Sequence, residues 1–223
     1  MASITKTATL AWGYDTYWSE TGVAAQGAWN KTGSRTSAIY LPFGSTLKKA
    51  SITEIKMTIS FSASGYGAWD TGKLLSFYTS NYQTLDTSIA PQSYRKSAIG
   101  TVATAAYDNT VTLTFNSSTN SSLFSQMKSY FEAGNTLLCL YNGENSNVPD
   151  GHTFSDNYLK ATAWSATVTY SPKYTLTVGK GTVISSVSGG GTYVEGTKVS
   201  VSATASSGYN FSKWTSGSSS SST

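Results

Sequence analysis

The chain has 223 residues, of which 39% are hydrophobic, 13% aromatic and only 12% charged, and its formal net charge is +4. This length suits either one large β domain or a domain of about 150–170 residues followed by a small module. The basic residues are dispersed, which argues against a nucleic-acid surface, and no stretch approaches the roughly 18 apolar residues of a membrane span.

Alternating apolar and polar residues recur along the first 170 residues, with glycine, serine and asparagine turn signals between the runs. This alternation is typical of strands that have one buried and one solvated face. The predicted strands cover residues 3–12, 36–42, 51–62, 73–80, 98–103, 110–115, 136–141 and 158–170. Their number and spacing predict an all-β, jelly-roll-like β-sandwich.

One segment, residues 121–133, has helical instead of strand periodicity. Its apolar residues lie on one face of a helix, namely Leu123, Phe124, Met127, Tyr130 and Phe131. Ser121 or Ser122 stands where a helix would be capped, and Gly134 stands where it would end. We predict one short amphipathic helix packed across the end or side of the sandwich.

A domain boundary is predicted at residues 171–172, because a strand ending at Tyr170 would meet Pro172, which cannot continue the hydrogen-bond ladder. The β-sandwich then spans residues 1–171, and a small all-β repeat module spans residues 172–216. Residues 217–223 form a flexible, Ser-rich tail.

The small module resembles the divergent B-repeat family of bacterial and phage surface proteins. Three stretches carry the resemblance: YTLTV at 174–178, GGGTYVEGTKVSVSATA at 189–205 and GYNFSKW at 208–214. The resemblance implies that Tyr209, Phe211 and Trp214 form a small core. It also implies a spacer or adhesive role, and it supplies no catalytic residues.

The first 170 residues are similar, chiefly in arrangement, to β-sandwich domains of phage structural proteins and of Gram-positive cell-surface proteins. The similar stretches are RTSAIYLPF from residue 35, ASITEIKMTISF from residue 50, LLCLYNGENS from residue 137 and SDNYLKATAWSATVTY from residue 155. This similarity favours a jelly-roll sandwich and a role on a particle or a cell surface.

Two aromatic groups are candidate ligand sites. Aromatic rings stack on sugar faces, and the neighbouring polar groups could bind hydroxyls, so a glycan contact is one interpretation. The sandwich core or a subunit contact is the alternative. The candidate residues are Trp12, Tyr14, Asp15, Tyr17, Trp18 and Trp29 near the N-terminus, and Tyr66 and Trp69 in a glycine-rich loop.

Catalytic patterns are weak in this sequence. His152 is the only histidine, and Cys139 lies in the apolar run LLCLY, as expected of a small buried hydrophobe. The oxygen-rich loop at 141–156 lacks calcium-loop spacing and is interpreted as a turn. We therefore predict a non-enzymatic protein with no cofactor and no metal. A carboxylate pair for glycoside hydrolysis is left open among Asp15, Glu20, Asp70 and Glu144.

The N-terminal residues 1–15 show no apolar signal-peptide core, although the composition is that of a surface protein. Together these features predict a bacteriophage virion structural protein (tail, fibre or capsid decoration) that is assembled in the host cytoplasm and released by lysis. Its expected partners are other virion proteins, copies of itself and a host cell-surface glycan, with neither nucleic acid nor membrane insertion. The alternative is a carbohydrate-binding or adhesin module of a secreted or wall-anchored bacterial protein, located at the cell surface.

Overall fold

The structure is a computed structural model that describes residues 1–14, 17–29, 33–62, 73–104, 110–141 and 158–215. Its larger part contains β1 (Ala2–Thr7), β2 (Thr9–Tyr14), β3 (Tyr17–Thr21), β4 (Ala24–Trp29), β5 (Gly33–Tyr40), β6 (Ala50–Ser62), β7 (Lys73–Ser80), β8 (Arg95–Thr104), β9 (Thr110–Asn116), β10 (Leu137–Tyr141) and β11 (Tyr158–Leu176). Its helical elements are a 3-10 turn (Leu47–Lys49), α1 (Pro91–Tyr94) and α2 (Ser121–Glu132). The C-terminal part adds β12 (Ile184–Ser188), β13 (Gly191–Val194) and β14 (Ser202–Ala205).

The first eleven strands form two facing layers of antiparallel strands. One layer has the order β1-β11-β6-β9, and the other has the order β3-β2-β5-β10-β7-β8. Strand β4 pairs with both β11 and β5 and so joins the layers along one edge. The predicted all-β sandwich is confirmed.

The space between the layers is filled by one face of each strand. On β6, for example, Ile55, Met57 and Ile59 are buried, whereas the residues between them face outward. Across the layers, Phe77 contacts Trp164 edge to face, with ring centroids 6.1 Å apart. This alternation is the period of two that the sequence displays.

The predicted helix is confirmed as α2, which buries Phe124, Met127 and Phe131 against one end of the sandwich. The residue at its N-cap is Asn120 rather than Ser121 or Ser122. Asn120 adopts a left-handed backbone conformation, and its side-chain amide donates to the Thr114 carbonyl instead of capping the helix. The helix thus follows strand β9 through a turn that is held to that strand.

Strand β11 continues through the predicted domain boundary. Its pairing with β6 runs to Pro172, and from Lys173 to Leu176 it pairs with β13. The expectation that the strand stops at Tyr170 is therefore wrong. Pro172 has no N–H to donate, but its carbonyl accepts a hydrogen bond from the Glu195 N–H at 2.8 Å. The strand changes its pairing partner between Pro172 and Lys173. A domain boundary at residues 171–172 stays a prediction.

The C-terminal module consists of two separate strand pairs, β11 with β13 and β12 with β14. The expectation that its aromatic residues form a small core is wrong. Tyr209, Phe211 and Trp214 are 58%, 41% and 45% exposed, because residues 206–215 run outside both strand pairs. The module therefore presents these three aromatic side chains to solvent.

Among the residues that the structure describes, none of the helices has the length and apolar character needed to span a membrane.

Candidate functional site

Two residues of the N-terminal aromatic group, Trp12 and Trp18, pack into the protein. Trp12 on β2 points to the same side as Leu10, is only 8% exposed, and donates its indole N–H to Glu20 Oε2 at 3.4 Å. The same carboxylate pairs with Lys160 Nζ at 3.2 Å, which connects β3 to β11. Trp12 thus has no open ring face of the kind that stacks on a sugar.

Trp18 is covered by the segment that connects β7 to β8, residues 81–94. Its indole N–H donates to the Ile89 carbonyl at 2.6 Å, and its ring meets the Tyr94 ring edge to face at 5.3 Å. Tyr94 is fully buried, and its hydroxyl donates to the Asp86 carbonyl at 2.7 Å. Residues 81–94 therefore form a cover over the outer face of the second layer.

Gly13 allows this cover to approach the sheet. A Cβ at Gly13 would clash with the Tyr17 carbonyl oxygen and would come within 2.7 Å of Pro91 Cγ and 2.8 Å of Trp18 Cα. The neighbouring outward positions Ala11 and Ala38 are also small and buried. The glycine between Trp12 and Tyr14 is thus explained by the close approach of β3 and of Pro91 in the cover.

The other predicted ligand residues are either exposed, described only as backbone positions, or outside the described residues. Tyr17 is 59% exposed at the start of β3 and keeps an accessible ring. Tyr14 and Trp29 are placed as backbone positions in β2 and β4, while Asp15, Tyr66 and Trp69 lie outside the described residues. Packing favours the core interpretation for Trp12 and Trp18, and a ligand role for Tyr17 stays a prediction.

Cys139 lies on the outward side of β10, under the cover formed by residues 81–94. It is completely buried, and loss of solvation raises the pKa of its thiol to about 12. A thiol in this environment stays protonated and is a poor nucleophile. His152, the base with which it could pair, lies outside the described residues. Within the described ranges, metal-ligand side chains do not gather in groups of three or more.

A carboxylate network joins the sandwich to the start of the module. Glu132, the last residue of α2, accepts hydrogen bonds from the Ile52 N–H at 2.7 Å and from Lys128 Nζ at 2.7 Å, both on Oε1. Its Oε2 accepts from Lys173 Nζ at 3.3 Å. One side chain thus connects α2, β6 and the segment of β11 that enters the module.

The C-terminal module contains an open cleft of about 780 Å³, which we call the aromatic cleft. Its apolar lining includes Leu176, Val183, Ile184, Val201, Phe211 and Trp214. The rings of Phe211 and Trp214 lie 5.2 Å apart at an angle of 59°. Lys180 and Lys213 also line the cleft, and none of its lining residues is acidic.

The aromatic cleft could not be predicted from the sequence, because the resemblance implies that its aromatic residues form a core. Polar residues alternate with Tyr209 and Phe211 in GYNFSKW. This alternation also fits a strand with one buried face, so the sequence carries no signal that separates a core from an open cleft.

Comparison with known families gives a match for the C-terminal part of the chain. A family model, the divergent InlB B-repeat domain, matches residues 167–223. A search of curated proteins finds no match. The family match confirms the resemblance of the module, and its first residues lie in β11, before Pro172. It indicates a surface or adhesin-like protein with an extracellular or surface location.

Proposed function

We propose that this protein is a non-enzymatic attachment protein of a bacteriophage virion, in which the β-sandwich assembles on the particle and the C-terminal module faces the host surface. The observation that carries the proposal is the shared strand β11, which pairs with β6 in the sandwich and with β13 in a module of surface-repeat type. A surface repeat attached in this way is held at a defined place relative to the sandwich.

Two features support the proposal that the module faces outward, toward the host surface. Glu132 and Lys173 brace β11 at the point where it leaves the sandwich, so the module does not depend on a flexible linker. Its large side chains, including Phe211 and Trp214, face solvent. Exposed aromatic residues are favoured at sites of protein and ligand contact.

The non-enzymatic part of the proposal is supported by the structural roles of the groups whose pKa values are shifted. Glu132 is occupied by two ammonium groups and a backbone N–H. Burial raises the pKa of Tyr130 to about 12, and its hydroxyl donates to the Leu137 carbonyl at 2.6 Å. Burial likewise keeps Cys139 protonated. These groups stabilise the fold, and that structural role accounts for their shifted pKa values without a catalytic role.

The proposal is tested by analysing purified phage particles from the lysate of an infected or induced host. We expect the protein to sediment with intact particles, and antibodies against the module to label the particle surface. Recovery of the protein only in the culture medium or cell-wall fraction, with none on purified particles, would contradict the virion assignment.

A second candidate is a carbohydrate-binding adhesin of a secreted or wall-anchored bacterial protein. The exposed ring pair Phe211 and Trp214 favours it, because such rings can stack on sugars. Cell fractionation distinguishes the two candidates, since an adhesin would be recovered from the wall of uninfected cells.

A further inference from the structure

The aromatic cleft combines two chemical features that bear on what it can bind. Its walls carry an aromatic pair, Phe211 and Trp214, whose side chains remain more than two-fifths exposed. Water contact with so much aromatic surface is unfavourable, and the ring faces are open to a flat apolar partner. A sugar ring offers such a face on one side and hydroxyl groups at its edge.

The second feature is positive charge. Lys180 and Lys213 line the cleft and make no ion pair with any residue in the described ranges. Between residues 172 and 215, Glu195 is the single acidic residue in the sequence, against four lysines. Within the described residues, no carboxylate therefore offsets the two lysines of the cleft, and their positive charge favours an anionic partner.

We propose that the aromatic cleft binds an anionic surface polysaccharide. The rings of Phe211 and Trp214 stack on its sugar units, and the ammonium groups of Lys180 and Lys213 pair with its acidic groups. Asn210, Ser212 and Thr177, which also line the cleft, supply hydrogen-bonding groups for sugar hydroxyls. The inference rests on the attachment role proposed above and names the chemistry of the surface that is recognised.

The volume of the cleft fits this partner. About 780 Å³ is within the range of small-molecule sites and is large enough for a short stretch of sugar units. Because lysine charges on an open surface are screened by salt, the ionic part of the affinity should fall as salt is added.

The test measures binding of the full chain by isothermal titration calorimetry with three probes. These are an oligogalacturonate, a neutral galactan oligosaccharide of matched length, and poly-L-glutamate. We expect the oligogalacturonate to bind more tightly than either of the others, because it alone combines sugar rings with negative charge. Equal binding of the galactan, or equal binding of poly-L-glutamate, would overturn the proposal.

Two substitutions test the residues, each with a matched control on the same module. Trp214→Ala should weaken oligogalacturonate binding about tenfold, whereas Tyr209→Ala, which removes an exposed ring outside the cleft lining, should not change it. Lys213→Gln should weaken binding about threefold at low salt and have no effect at about 1 M salt. Lys198→Gln, outside the cleft lining, should have no effect at either salt concentration.

Three further outcomes separate this inference from the proposed function. A chain that associates with virions or cells but binds none of the probes refutes the cleft assignment and leaves the attachment role intact. A chain that binds oligogalacturonate through Trp214 but is absent from virions supports the cleft and refutes the virion role. If light scattering shows a dimer that Trp214→Ala dissociates, the cleft is a subunit contact and the polysaccharide proposal is wrong.

Discussion

The ammonium group of Lys173 lies 3.3 Å from Oε2 of Glu132, and this contact ties the first residue after Pro172 to the last residue of helix α2. The other carboxylate oxygen accepts hydrogen bonds from Lys128 and from the backbone of Ile52. Lys128 Nζ in turn donates to the Ile52 carbonyl at 2.6 Å. The ion pair between Lys173 and Glu132 therefore fixes the base of the module to the sandwich, and Lys128 holds the Glu132 carboxylate in place.

Glu132→Gln should lower the free energy of unfolding by about 1–2 kcal/mol. The amide removes the negative charge between Lys128 and Lys173, so the two ammonium groups repel each other without compensation. Urea unfolding followed by circular dichroism measures the change. Glu195→Gln, at an exposed position of the module, is the control and should stay within about 0.5 kcal/mol of the parent protein. Equal effects of the two substitutions would contradict a structural role for Glu132.

The contribution of Glu132 should depend on pH. Burial alone would raise the pKa of its carboxyl, but hydrogen bonds from Lys128 and Ile52, together with the charges of Lys128 and Lys173, hold it below the ordinary value of 4.5. A lowered pKa means that the stabilisation is present above pH 4.5 and is lost as the pH falls through the value in the folded protein. The stability difference between the parent protein and Glu132→Gln should thus close in acid. A difference that stays constant down to acid pH would show that charge is not its source.

Trp164 and Trp18 should respond differently to replacement by phenylalanine. The indole N–H of Trp164 is buried without a hydrogen-bond partner, so Trp164→Phe removes an unsatisfied donor at the cost of some packing and should change stability by less than about 1.5 kcal/mol. Trp18→Phe breaks the bond to the Ile89 carbonyl and should cost about 1–3 kcal/mol. Thermal unfolding of both variants measures the two losses of stability. A larger loss for Trp164→Phe than for Trp18→Phe would contradict the different hydrogen bonding of the two indole N–H groups.

Gly13→Ala should be far more harmful than Gly22→Ala. A Cβ at residue 13 would clash with the Tyr17 carbonyl oxygen of β3 and would crowd Pro91, and the expected loss is about 3 kcal/mol or more. Gly22 has a φ of +84° but open space around it, so alanine there meets only backbone strain of about 1 kcal/mol. Chemical denaturation measures both losses. Similar losses at the two positions would mean that β3 and the cover of residues 81–94 do not pack against Gly13 as described.

The thiol of Cys139 should be inert in the folded protein. Burial raises its pKa to about 12 and excludes reagents from the sulfur. A chromogenic disulfide reagent at neutral pH should label it at the rate of unfolding, and rapidly once denaturant is present. Fast labelling of the folded protein would show that residues 81–94 open readily over β10.

Period-two alternation predicted most of the sandwich because burial of one strand face follows directly from it. The run 51–62 is β6, and the run 110–115 lies within β9. The run 3–12 is divided into β1 and β2, which pair in different layers. Its alternation continues through the break at Ala8, so residue pattern alone does not show the change of layer.

The candidate sites were harder to predict because an aromatic side chain looks the same in a sequence whether it faces the core or solvent. Trp12 could have been assigned to the core, since it shares a strand face with Leu10. Trp18 could not have been assigned in this way, because Ile89, which accepts its hydrogen bond, lies some 70 positions away in the sequence. The family resemblance implies a core position for Trp214, but its side chain lies outside both strand pairs of the module and is exposed.

The continuity of β11 has a mechanical consequence. A strand of 19 residues is roughly 60 Å long, and its sandwich portion lies between β1 and β6. Tension applied at the module would act along this strand and would have to shear backbone hydrogen bonds on both of its edges together, instead of opening them one at a time. The protein is thus arranged to transmit a pulling force from its outer module into the body of the sandwich, which suits a molecule that holds one surface against another.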